Sequence, residues 1–291
     1  MDATLEYLKT CYPFAPHWLD TPGGRMHYVD TGGHGEPVLL LHGNPSWSFL
    51  WRDLIPVLTA EGFRCIAPDH LGMGFSDKPD TFFRLADRIE HIELLINKLK
   101  LQHFHLGVHD WGGAIGMGVA GRHPERVGKL LVTNSAAFCS ARIPWRIALC
   151  RSRFPGEFIV RGLNAFVWPS IFMAAHRHMR PEVKAGFLAP YDSWKNRAAI
   201  ARFIQDIPME PEHPSRDTLQ GVESNLIRLR EKPMLIVWGG RDFCFNDTFL
   251  EEWLKRFPSA IVRHYAEAGH YVLEDLGTNV FPEIKAFFTG K

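Results

Sequence analysis

Short apolar runs and helical repeats take turns along this chain. Residues 25–31 alternate polar and apolar side chains, the pattern of a half-buried strand, ahead of the turn Gly32-Gly33-His34-Gly35. Residues 38–41 are continuously apolar, which suits a central parallel strand covered on both faces. Residues 51–59 place Leu54, Ile55 and Leu58 on one helical face, and residues 64–67 read as the next strand. A helix is expected over residues 85–99, because Ile89, Ile92, Leu95, Ile96 and Leu99 recur at helical spacing. A strand from Phe104, a helix over residues 114–122 and a strand over residues 127–133 follow.

The rhythm stops over residues 137–221. This stretch carries Ile143-Pro144-Trp145, Phe154-Pro155-Gly156, Trp168-Pro169 and Ala189-Pro190-Tyr191, and its apolar residues keep helical spacing, as in residues 198–204. It then resumes with strands over residues 234–238 and 260–265 and helices over residues 249–257 and 280–288. Alternating strands and helices imply a mostly parallel sheet with helices on both faces. The expected division is a core of residues 1–136 and 222–291, with residues 137–221 as a helical lid over the carboxyl ends of the strands. No internal repeat or low-complexity segment interrupts the pattern.

Composition narrows the function classes. A chain of 291 residues can bury a full core, and a net charge of +1 removes the electrostatic case for nucleic acid. The five cysteines are scattered without a CxxC pair and read as reduced thiols, which together with the rest points to the cytoplasm. Met1-Asp2-Ala3-Thr4-Leu5-Glu6 has neither the basic start nor the apolar run of a signal peptide, and no stretch approaches the ~20 apolar residues of a membrane span.

Candidate chemistry centres on Phe104-His105-Leu106-Gly107-Val108-His109-Asp110-Trp111-Gly112-Gly113-Ala114. An apolar strand that turns sharply into a helix among small residues is a nucleophile elbow, with Asp110 as the residue lifted above the sheet. A helix cap before a glycine pair is the competing explanation for Asp110. Two other strand ends weigh against it: Asp242 follows the strand over residues 234–238, and His270 follows the strand over residues 260–265. Nucleophile, acid and histidine thus fall at three strand ends in the order this architecture requires. Asn134 stands at the other place where an acid could sit.

A carboxylate has an ordinary pKa of about 3.9 and is ionised at neutral pH without a base. It can displace a leaving group from saturated carbon and be left as an ester. His270, oriented by Asp242, would then activate water to cleave that ester. Trp111 and Asn44 offer N–H donors to the leaving group, although Trp111 could equally pack in the core and Asn44 make the turn before Pro45. None of this requires a metal or a cofactor.

Over essentially its whole length the chain resembles the haloalkane dehalogenase family of α/β-hydrolases. The motifs are His42-Gly43-Asn44-Pro45, residues 69–76, His109-Asp110-Trp111-Gly112-Gly113, Gly240-Arg241-Asp242 and Gly269-His270. It is most similar to the third subfamily, whose members include relatives of the cis-β-lactone decarboxylase of bacterial long-chain olefin biosynthesis. Residues 189–194 and Gln205-Asp206-Ile207-Pro208 support that placement. The resemblance implies Asp110, Asp242 and His270 as the triad, Asn44 and Trp111 as donors, and decarboxylation of a cis-β-lactone to a cis-alkene ahead of hydrolytic dehalogenation. Epoxide hydrolases use two lid tyrosines where this lid offers Tyr191 alone, and fluoroacetate dehalogenases carry arginine where Trp111 stands. A non-enzymatic ligand sensor is disfavoured because no triad member is missing.

Within the lid, Tyr191, Trp168 and Phe172 are the candidates for the wall of a hydrophobic substrate cavity. Residues 142–180 of the lid hold Arg142, Arg146, Arg151, Arg153, Arg161, Arg177 and Arg180 against the single acid Glu157, interleaved with aromatic residues. A basic, aromatic segment of this kind suits contact with a membrane surface or a protein partner, while arginines facing water over a buried apolar side is the simpler alternative. The sequence leaves the oligomeric state open.

Overall fold

The structure is a computed structural model that describes Leu8 and residues 10–291, so the N-terminal reading of residues 1–6 lies outside the described residues. Eight strands form one sheet: β1 (Pro16–Thr21), β2 (Gly24–Asp30), β3 (Pro37–Leu41), β4 (Arg64–Pro68), β5 (Phe104–Asp110), β6 (Val127–Ser135), β7 (Met234–Gly239) and β8 (Ile261–Tyr265). Their order is β1-β2-β4-β3-β5-β6-β7-β8. β1–β2 and β2–β4 pair antiparallel, and every other pair is parallel. This is an α/β-hydrolase fold. β1 escapes the periodicity because only Leu19 of its six residues is buried, so an edge strand leaves no alternation to read.

Among the elements that lie wholly within the described residues, five helices stand outside the β6–β7 connection in addition to the elbow helix. In chain order these are α1 (Leu54–Ala60), α2 (Leu85–Lys98), the elbow helix α3 (Trp111–Arg122), and, past β7, α9 (Asp247–Arg256), α10 (Val272–Leu276) and α11 (Phe281–Thr289). Between β6 and β7 come α4 (Trp145–Arg151), α5 (Val167–Met173), α6 (Pro181–Leu188), α7 (Ala198–Gln205) and α8 (Arg216–Asn225), with no strand. α8 turns Val222 toward the place where a Cβ on Gly118 of α3 would stand, at 3.3 Å, so α8 packs on the core. The division expected at residue 221 therefore cuts through a core-packed helix.

β5 is buried at all seven positions and lies between β3 and β6. α3 begins at Trp111, earlier than its periodicity suggests, because two glycines let it press against the sheet. A Cβ on Gly112 would come within 2.2 Å of the Leu41 carbonyl oxygen. The carboxyl ends of β3, β5, β6 and β7 consequently converge below the inserted helices, where open α/β sheets place ligands. Among the described residues no helix is long and apolar enough to cross a membrane.

Candidate active site

Asp110 closes β5 with φ 51° and ψ −125°. A non-glycine residue held there costs about 1–3 kcal/mol and persists only where its surroundings impose it. The surroundings are visible. Ser135 Oγ donates to the Asp110 carbonyl at 2.5 Å, and the Asn44 backbone N–H donates to Asp110 Oδ1 at 2.6 Å. The Trp111 backbone N–H also bonds the carboxylate. The Asp110 side chain makes no helix-cap bond, which sets aside the capping explanation.

His270 lies beyond β8, and its Nδ1 donates to Asp242 Oδ2 at 2.7 Å. Its Nε2 stands 3.9 Å from Asp110 Oδ2. The three residues that the sequence placed at three strand ends therefore meet in space. Asp242 is itself held: the Cys244 backbone N–H donates to Oδ1 at 2.7 Å, and Asn134 Nδ2 donates to Oδ2 at 3.0 Å. Asn134, considered only as a vacant acid position, thus braces the acid that is used. His109 Nε2 donates to the His270 carbonyl at 3.0 Å and fixes its backbone. Past His270, Glu274 of α10 makes a two-pronged ion pair with buried Arg52, at 2.6 and 2.8 Å. Periodicity gives no sign of this five-residue helix.

Burial sets the electrostatics. It pushes the Asp110 carboxyl up to about 6, against the opposing pull of His270 and of the Asn44 and Trp111 N–H groups. The Asp110 carboxyl is therefore a weaker acid than the free side chain, while remaining mostly ionised at neutral pH. Burial alone would lower His270, but Asp242 and Asp110 outweigh it and raise its pKa above the ordinary histidine value.

Asn44 and Trp111 stand beside Asp110. Asn44 and Trp111 both line a cavity of about 220 Å³ whose floor includes Asp110 and His270. Asn44 Nδ2 gives one hydrogen to the Ile200 carbonyl at 3.2 Å and retains the other. The Trp111 indole N–H has no acceptor among the described residues, and its ring is edge-on to Phe203 at 5.5 Å. Ile147, Phe166, Met173, Ile207 and Phe245 make much of the remaining wall.

The three lid candidates stand elsewhere. Tyr191 is buried away from the cavity, its hydroxyl donating to the Ser46 carbonyl at 3.2 Å and accepting from the Gly74 N–H at 3.3 Å. Trp168 and Phe172 face solvent, because their α5 neighbours Pro169, Ser170 and Met173 take the cavity side. A segment apolar all round gives no periodic sign of which face turns inward. Ile147 and Met173 were the residues to find.

Residues 36–275 match the family described as alpha/beta hydrolase fold. The chain is 40% identical over 290 residues to the cis-3-alkyl-4-alkyloxetan-2-one decarboxylase of Shewanella oneidensis, covering 97% of this chain and 91% of the relative. It is 41% identical over 290 residues to the enzyme of that name from Xanthomonas campestris pv. campestris, covering 95% and 96%. A haloalkane dehalogenase of Mycobacterium marinum is 34% identical over 292 residues, with 94% and 93% covered. The crystal structure of haloalkane dehalogenase DbeA from Bradyrhizobium elkani superposes with a TM-score of 0.86 at 26% identity, over 95% of this chain and 98% of that one. With the Asp110 elbow, its flanking donors and these relatives on one scaffold, the chain belongs to the haloalkane dehalogenase family of α/β hydrolases.

Proposed function

We propose that this protein decarboxylates cis-3-alkyl-4-alkyloxetan-2-ones, strained β-lactones, to cis-alkenes and CO2, with Asp110 as nucleophile. The observation that carries the choice of substrate is the identity of 40% and 41% to two decarboxylases, against 34% to a dehalogenase. The site supplies the chemistry. Asp110 Oδ2, the oxygen not tied to the Asn44 N–H, attacks the saturated ring carbon bearing oxygen. The ring C–O bond breaks and its electron pair leaves as a carboxylate, which the Trp111 indole and Asn44 amide N–H groups receive. The bond to the departing CO2 then breaks, its electrons form the double bond, and the ester to Asp110 opens to return the free carboxylate. Backside attack followed by anti elimination keeps both alkyl groups on one side, so a cis ring gives a cis-alkene. No water is consumed.

One feature favours a second reading, hydrolytic dehalogenation. The Asp242–His270 pair faces Asp110 with the geometry for activating water on an ester, at 2.7 and 3.9 Å. Decarboxylation leaves that base without a proton to take. The deciding experiment incubates purified protein in parallel with a long-chain cis-β-lactone and a bromoalkane, following alkene by gas chromatography and bromide in solution. Alkene without bromide supports the proposal; bromide and alcohol without alkene replaces it with the second reading.

A further inference from the structure

The two inserted helices that roof the cavity carry exposed apolar side chains on their outer faces. α4 turns Ile147 and Cys150 inward, yet its outer face shows Leu149 and Trp145, the latter 70% exposed. α5 turns Pro169 and Met173 inward while Trp168 and Phe172 face out. Between the two helices Phe154 is 87% exposed. A group of exposed rings marks a contact surface.

Cations sit on these rings. The Arg146 guanidinium lies 5.0 Å from the Trp145 ring, Lys184 Nζ 4.5 Å from Phe172, and Arg161 4.4 Å from Trp194. Two of the nearby carboxylates are engaged, Glu157 by Arg161 and Glu210 by Arg151, while Glu182 between Arg180 and Lys184 makes no ion pair among the described residues. Arg142, Arg146, Arg153 and Arg180 form no ion pair among the described residues, the first two at the cavity's rim, so the roof keeps an excess of unpaired cations around its rings.

We propose that this outer face seats the protein on an anionic lipid surface, with the arginines meeting headgroup phosphates and the rings reaching the acyl boundary. Rings flanked by cations rather than by carboxylates or amides match a phosphate-bearing surface better than a protein groove. The proposal rests on the decarboxylase reading for its purpose: a lactone with two alkyl chains and an alkene product both partition into lipid, and the roof helices would stand between that lipid and Asp110.

The test is flotation of the purified full chain with phosphatidylcholine vesicles, with and without phosphatidylglycerol, in the absence of substrate. Reading it without turnover keeps its failure separate from failure of the decarboxylase assignment. The protein is expected to float with anionic vesicles and much less with neutral ones, and high salt should release it. Arg153→Ser with Arg180→Ser should weaken partitioning about 30-fold, since each cation near such a surface counts for roughly a fivefold change. Phe154→Ser with Trp168→Ser should weaken it about tenfold or more through lost apolar burial. All four side chains lie off the cavity wall, and unchanged circular dichroism would show that the variants fold. Absence of flotation overturns the proposal, as does equal flotation with both vesicle types or binding that neither variant pair alters. Capture of a protein partner on this face without vesicle binding also overturns it.

Discussion

Gly43 leaves open the space that the Asp110 side chain occupies: a Cβ at Gly43 would lie 2.1 Å from Asp110 Oδ1 and 2.3 Å from its Cβ. No rotation of the carboxylate alone relieves a clash that reaches Cβ. Gly43→Ala must therefore displace Asp110 and loosen its bond to the Asn44 N–H. Turnover should fall by about 100-fold or more, the usual result of a displacement near 1 Å at the reacting atom. Steady-state kinetics, with a circular dichroism spectrum to show that the fold persists, would check this.

Asp110 costs the fold stability. Its folded-state pKa of about 6 lies above the ordinary value of about 3.9. The folded protein thus holds this proton more tightly than the unfolded chain. The penalty is fully present above pH 6 and fades as pH falls toward 4. Asp110→Asn is expected to be more stable than the parent at pH 8 by about 1–3 kcal/mol, from a shift of roughly two units. The gap should close near pH 4 in urea titrations. A less stable variant at pH 8 would show that burial does not dominate this site.

The same titration should appear in catalysis. Only the carboxylate attacks, so turnover should drop through about pH 6 and approach a tenfold loss for each further pH unit. Asp110→Asn should have no such limb because it should have no turnover. A rate that stays flat down to pH 5 would place the attacking group elsewhere.

Chain-length preference should follow the corrected cavity wall. Ile147→Trp and Met173→Trp narrow the space above Asp110 and should depress turnover of long-chain substrates more than short ones. Tyr191→Phe removes a hydroxyl that holds the Ser46 and Gly74 backbone. It should cost about 1 kcal/mol of stability and leave turnover within about threefold. Loss of activity in Tyr191→Phe would return that tyrosine to the site.

The core was largely legible from the chain itself, because a buried parallel strand such as β3 needs a continuous apolar run, and β5 ends on Asp110. Asp110, Asp242 and His270 could be read at three strand ends, and the structure brings His270 within 4 Å of both carboxylates. What stayed hidden depended on direction rather than type. Trp168 and Phe172 carry the right side chains for a cavity wall but face solvent, and Asn134 reaches Asp242 only because β6 and β7 are neighbours. The weaker acidity of Asp110 was equally out of reach, since desolvation belongs to the packed site and not to the residue.

The most direct measurement is alkene formation from a long-chain cis-β-lactone by the parent protein and by Asp110→Asn, with CO2 and alkene counted together. The expected result is cis-alkene and CO2 in equal amounts from the parent, and a rate about 1000-fold lower or less from the variant. Alkene from both proteins at similar rates, or a hydroxy acid in place of the alkene, would contradict an Asp110-based decarboxylation.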